Sequence, residues 1–87
     1  MNNMKMLKLY RELAHTALRE YPNPITGVAE LRRIRENVRS ITKDGTDEQI
    51  KRACGYLRYS INELQGTIQL AKYRAIKKTY YSDRDSD

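Results

Sequence analysis

Five cations in this 87-residue chain have the types and spacing to do binding chemistry: Arg11, Arg32, Arg35, Arg39 and Lys43. Placed on a helix at about 100° per residue, Arg32, Arg35, Arg39 and Lys43 fall within an arc of roughly 80°. No acidic residue interrupts that arc, because Glu30 and Glu36 point elsewhere. A solvated face is the plain reading of such a stripe. Uncompensated guanidinium groups on one line also suit carboxylates or phosphate. Arg11 follows Leu9-Tyr10 on an earlier helix, on the border between apolar and charged faces. Together the five would ring one mouth of a helical bundle. Nothing comparable points to catalysis. His15 lies amid a charged face and Cys54 in an apolar stripe, and neither has the neighbours of a nucleophile–base pair. One Cys and one His exclude a disulfide framework and a Cys-based zinc site, so no metal and no cofactor of its own are expected.

Composition narrows the partners. The chain carries 17 Lys and Arg against 11 Asp and Glu, for a net charge of +6, with seven Tyr and no Trp or Phe. A small, basic, Tyr-rich protein suits an acidic partner: nucleic acid, anionic lipid or an acidic protein. A lone Cys fits a reducing compartment. No apolar run approaches the roughly 20 residues needed to span a bilayer, and none has the pattern of a secretory signal. Lys5, Lys8 and Arg11 on an amphipathic helix suggest a mitochondrial targeting segment, but Glu12 and the lack of Ser count against it. The same face is also needed for packing.

Three helices must position these groups. The first spans about Met4 to Tyr21, with Met6, Tyr10, Leu13, Ala14, Ala17 and Tyr21 on one side. Tyr21-Pro22-Asn23-Pro24 ends it, since residues before Pro leave the helical region. The second starts near Pro24 to Thr26, capped by either Asn23 or Thr26, and ends near Lys43-Asp44-Gly45. Val28, Leu31, Ile34, Val38 and Ile41 mark its apolar face. The third opens on a Thr46–Gln49 capping-box pattern. Ile50, Cys54, Leu57, Ile61, Leu64, Ile68, Ala71 and Ala75 then step by four and three, predicting a helix to about Lys78. At 1.5 Å per residue it would be roughly 50 Å long and overhang the others. The fold class is therefore all-α: a three-helix antiparallel bundle with a long third helix, one domain over residues 1–81 and a disordered polar tail over 82–87. So small a core is expected to be marginal without a partner.

The interior takes Met6, Leu7, Tyr10, Leu13, Ala14, Ala17 and Leu18 from the first helix, Val28, Leu31, Ile34, Val38 and Ile41 from the second, and Cys54, Leu57, Ile61 and Leu64 from the third. An ordinary core is the simplest reading. Small residues at Ala14, Ala17, Val38 and Cys54 would also permit an apolar channel, and with a cationic mouth that suits a fatty acyl chain bearing an anionic head. The back of the third helix carries Gly55, Tyr59, Gly66, Leu70, Tyr73 and Tyr80, a second partly apolar face suited to docking.

Leu9-Tyr10-Arg11 in a short basic first helix, Arg32-Arg33-Ile34-Arg35 through Arg39 on the second, and the long third helix together resemble the LYR-motif family of mitochondrial adaptor proteins. The resemblance covers about residues 4–81. Within the family it leans toward the accessory subunits of respiratory complex I, through Arg19-Glu20-Tyr21-Pro22-Asn23, Glu63-Leu64, Thr67-Ile68, Lys72, Arg74 and the Tyr80-Tyr81 pair. Leu31–Arg39 is also similar to the family's cysteine-desulfurase partners. Val38 departs from the family, which usually has Phe there.

The resemblance implies a non-catalytic adaptor for the acidic mitochondrial acyl carrier protein. That carrier supplies an acyl-phosphopantetheine whose chain enters the bundle. Tyr10, Arg11, Arg32, Arg35, Arg39 and Lys43 would meet the carrier. Met6, Leu13, Ala14, Ala17, Leu31, Ile34, Val38, Cys54, Leu57 and Ile61 would line the acyl channel. Tyr59, Gly66, Leu70, Tyr73, Tyr80 and Tyr81 would dock to matrix-arm subunits of complex I near its quinone-reducing region. The expected location is the mitochondrial matrix side of the inner membrane, peripheral and not spanning. Two alternatives stand beside it. One is an adaptor for the cysteine desulfurase or for assembly of another respiratory complex. The other is a small basic nucleic-acid binder, disfavoured because no helix-turn-helix spacing is present and the second apolar face would have no role.

Overall fold

The computed structural model describes the backbone of residues 2–85 and the side chains of residues 4–77. Its elements are α1 (Asn2–His15), a π-helical turn (Thr16–Glu20), α2 (Pro24–Ile41) and α3 (Asp47–Asp85). Short connections at residues 21–23 and 42–46 fold each helix back on the last, which gives the expected all-α antiparallel bundle.

The end of the first helix differs from the sequence expectation. A single α-helix to Tyr21 was predicted, but the last five helical residues widen into a π turn. The Thr16 hydroxyl donates to the Glu12 carbonyl at 3.0 Å, a back-bond that disturbs regular helical bonding. The chain then leaves the helix at Tyr21 (φ −70°, ψ 131°), the extended conformation that a following proline favours.

Asn23, not Thr26, caps α2. Its Oδ1 accepts from the Ile25 amide at 3.0 Å and the Thr26 amide at 3.3 Å, with Pro24 in the first turn. Four residues into the chain from that cap, Gly27 presses on the π turn. A β-carbon there would lie 2.1 Å from the Ala17 carbonyl oxygen. Only glycine allows the two backbones to cross so closely. At the other end, Gly45 takes φ 69°, the left-handed turn that releases the chain toward α3.

Thr46 caps α3 through a 3.2 Å bond to the Gln49 amide. The reciprocal half of the capping box is absent, because the Gln49 side chain turns to Asp44 instead: its Oε1 accepts from the Asp44 amide at 3.0 Å. After Gly66 no Gly or Pro interrupts the sequence, so nothing stops the helix. It runs through Ser82 to Asp85, where a disordered tail was expected; Ser86 and Asp87 lie outside the described residues. Thirty-nine residues give a rod of about 58 Å, matching the 62 Å long axis of the molecule.

Leu13, Ala17, Ile34, Val38, Ala53, Leu57, Ile61 and Leu64 form one buried cluster where the three helices meet. Ile50, Cys54 and Ile68 extend it along α3. Past Ile68 no described side chain of the rod is fully buried, and Tyr73 and Ile76 stand in solvent. α1 and α2 each pack on α3 and meet one another mainly through the π turn.

Candidate partner-binding surfaces

The two flanks of α2 are chemically unlike. On the flank turned to α3, Asn37 donates to the Tyr56 hydroxyl at 2.7 Å, and Arg33 pairs with Glu30 at 2.7 Å. The Glu30 carboxylate, by that hydrogen bond, holds the Arg33 guanidinium above its usual pKa. On the opposite flank lie Arg32, Arg35, Arg39 and Lys43, all exposed. None of these four, nor Arg11, has an ion-pair partner among the described residues. A Lys or Arg side chain gains little from an exposed pair, so its freedom costs the fold almost nothing and leaves the charge for a partner.

Apolar side chains are exposed along the same seam. Leu7 and Leu18 of the first helix are about half exposed, at 50% and 51%, and Val28 of α2 at 44%. All three had been assigned to the interior. Leu7 sits on the edge of α1 shared with Arg11, roughly 120° from the direction of Leu13, and Leu18 stands in the π turn. Val28 and Arg32 with Ile25, which is 82% exposed, border an open groove of about 440 Å³ at the start of α2. Ile25 was missed in the sequence; its i, i+3, i+7 spacing to Val28 and Arg32 was the available signal.

The ten residues expected to line an acyl channel are placed together, but as packing. Leu13, Ala17 and Leu57 have no exposure, Ile34 has 1%, and Val38 and Ile61 are buried with them. Met6, Ala14 and Leu31 are half-buried at the margin. Cys54, 6% exposed, is buried at the edge of this cluster and also lines a cleft of about 490 Å³ with Lys5, Lys51 and Arg58. In this conformation Leu7, Leu18, Ile25 and Val28 are open to solvent, whereas the centre of the bundle is filled by its own side chains.

Tyr10 is half-buried against the core with its ring, beside exposed Arg11. On the back of α3, Tyr59, Gly66 and Leu70 line one shallow groove of about 370 Å³. The neighbouring Glu63 carboxylate pushes the Tyr59 phenol above its ordinary pKa. Tyr73 lies further along the overhang, exposed. The Tyr80 and Tyr81 side chains lie outside the described residues. Among the described residues no helix is long and apolar enough to cross a membrane.

The chain is 40% identical over 80 residues to the electron transfer flavoprotein regulatory factor 1 of Taeniopygia guttata, covering 91% of this chain and 88% of that protein. It is 36% identical to the Bos taurus protein of the same name over 91% and 86%. Against the LYR motif-containing protein 5A of Danio rerio it is 36% identical over 88% of this chain and 87% of the other. This chain belongs to the LYR-motif family. No family model and no solved structure matches it. The relatives make it an LYR adaptor by kinship; the Taeniopygia guttata and Bos taurus proteins are named for regulating an electron transfer flavoprotein and the Danio rerio protein for the LYR motif, and none is named for a complex I subunit. Leu9-Tyr10-Arg11 thus marks the family, and its arginine stands exposed on α1 beside the open seam.

Proposed function

We propose that this LYR protein is a non-catalytic adaptor that holds an acidic acyl carrier protein on its arginine border and acts on an electron-transfer flavoprotein. The observation that carries the flavoprotein half is the 40% identity, along nearly the whole chain, to a factor named for regulating such a protein. The carrier half is supported by the unpaired border of Arg11, Arg32, Arg35, Arg39 and Lys43 against an apolar seam. An acyl-phosphopantetheine brought by the carrier would place its phosphate among the guanidiniums. Its chain would lie along Leu7, Leu18 and Val28, or part α1 from α2, which have little direct packing to lose. The working location is the mitochondrial matrix. The exposed face of Tyr59, Gly66, Leu70 and Tyr73 is then available to the larger partner.

The second reading, an accessory subunit docked on the matrix arm of complex I, is favoured by Arg19-Glu20-Tyr21-Pro22-Asn23 and the Tyr80-Tyr81 pair. One experiment separates the two: native mass spectrometry of the complex captured from mitochondria through a tag on this chain. The expected result is an acylated carrier together with flavoprotein subunits. Complex I subunits or a cysteine desulfurase in their place would replace the flavoprotein reading. Absence of any phosphopantetheine mass would remove the carrier. Charge reversal at Arg35 and Arg39 is expected to release the carrier at moderate salt while leaving the fold intact.

A further inference from the structure

On the flank of α2 that carries no free cations, a polar cleft of about 310 Å³ opens between α2 and α3, with Tyr21 at one end. Tyr21, Tyr56 and Tyr59 bring three phenol rings to it, and Ile34 and Leu64, both almost fully buried, lie beneath. Most of its hydrogen-bonding groups are already engaged. The Ser60 hydroxyl donates to the Tyr56 carbonyl at 2.8 Å and the Thr67 hydroxyl to the Glu63 carbonyl at 3.0 Å. Arg33 and Glu30 neutralise one another at 2.7 Å. What remains is the Glu63 carboxylate, which lies near the Tyr59 phenol along the same cleft and has no cationic partner among the described residues. The cleft is thus net negative in a chain of net charge +6.

We propose that this cleft is a binding site for a guanidinium group, the side chain of an arginine presented by a partner protein. A carboxylate accepts two parallel N–H bonds from a guanidinium, and phenol faces attract a planar cation. Arg33, paired with the Glu30 carboxylate at 2.7 Å beside the Tyr56 ring, is an intramolecular example of the same recognition in the same cleft. A point-charge ammonium fits less well, since it cannot stack or fork. The site lies on the far flank of α2 from the arginine border. An acidic partner on one side and a basic side chain on the other would not compete. The proposal is independent of which protein the adaptor serves.

The test uses the full chain, alone or with its co-purified carrier, titrated with N-acetyl-L-arginine methylamide and followed by ring-proton shifts in NMR. Saturable shifts confined to Tyr21, Tyr56 and Tyr59 are expected, and N-acetyl-L-leucine methylamide should produce none. Glu63→Gln keeps the shape and should weaken arginine binding by about tenfold or more, the scale of a lost charge-assisted bond. Tyr59→Phe keeps the ring and the carboxylate and removes only the hydroxyl, and should bind the probe about equally. Shifts that fail to saturate, that the leucine probe reproduces, or that survive unchanged in Glu63→Gln would overturn the site. Loss of binding in Tyr59→Phe would likewise assign the effect to the phenol hydroxyl and overturn it.

Discussion

α2 carries two flanks of opposite design within 18 residues. Toward α3 its polar groups are answered within the chain: Arg33 by Glu30, Asn37 by Tyr56. On the other flank, Arg32, Arg35 and Arg39 are exposed and answered by nothing among the described residues, beside Val28 that the fold leaves uncovered. Both flanks share one buried ridge, Gly27, Ile34 and Val38. The difference teaches where stability and recognition reside. Groups satisfied internally hold the helices in place. Groups left unsatisfied are cheap to keep in water and become valuable only against a partner.

The ridge should show the largest effect. Ile34 is 1% exposed, and Ile34→Ala should cost about 2–5 kcal/mol of unfolding free energy. Gly27→Ala should cost about 1–3 kcal/mol, the scale of overpacking, because the added carbon would meet the Ala17 carbonyl oxygen at 2.1 Å. Urea unfolding of both variants checks this. A Gly27→Ala protein of native stability would mean that the π turn yields freely, and the ridge would no longer tie the two flanks together.

Much of this was legible in the sequence. Apolar steps of three and four gave three helices, and Pro22, Pro24 and Gly45 gave their breaks, because those signals are local. The Thr46 cap was legible for the same reason, whereas sequence left Asn23 and Thr26 as equal candidates for the α2 cap until the structure chose Asn23. The π turn was not. The spacing from Leu13 to Tyr21 suits a regular helix, and only the Thr16 back-bond and the crossing at Gly27 widen it. Gly27 itself carries no local signal, since its need arises from Ala17, ten residues away in sequence. Leu7, Leu18 and Val28 looked interior because a periodicity marks an apolar side without saying how much of it a partner helix covers. Arg32, Arg35 and Arg39 are exposed on α2, but the ligand of such a line is not written in residue types.

The free flank should behave oppositely to the ridge. Arg35→Glu with Arg39→Glu should change unfolding free energy by less than about 0.5 kcal/mol, as for surface positions without partners. The same double change should weaken carrier binding by about a hundredfold, with the remaining affinity less sensitive to salt. Calorimetry on the purified carrier measures both. A large stability loss would show that these arginines serve the fold and would erase the contrast between the flanks.

Arg33 provides the finest test, because it is the one cation of α2 that the fold already answers. Its pair with Glu30 is exposed and spans i, i+3, with the two side chains 58% and 31% accessible. Arg33→Ala should therefore lower stability by only about 0.3–0.5 kcal/mol. Its effect on carrier binding should be smaller than that of Arg32→Ala, although the two residues are adjacent in sequence. Charge count alone predicts equal losses, since each substitution removes one cation from the same helix. Placement predicts unequal ones, because residue 33 lies about 100° from residue 32 and its charge is already met by a carboxylate 2.7 Å away. Equal losses measured side by side at the same ionic strength would mean that the carrier feels only the summed field of α2. A clear gap between them would mean that it reads one flank.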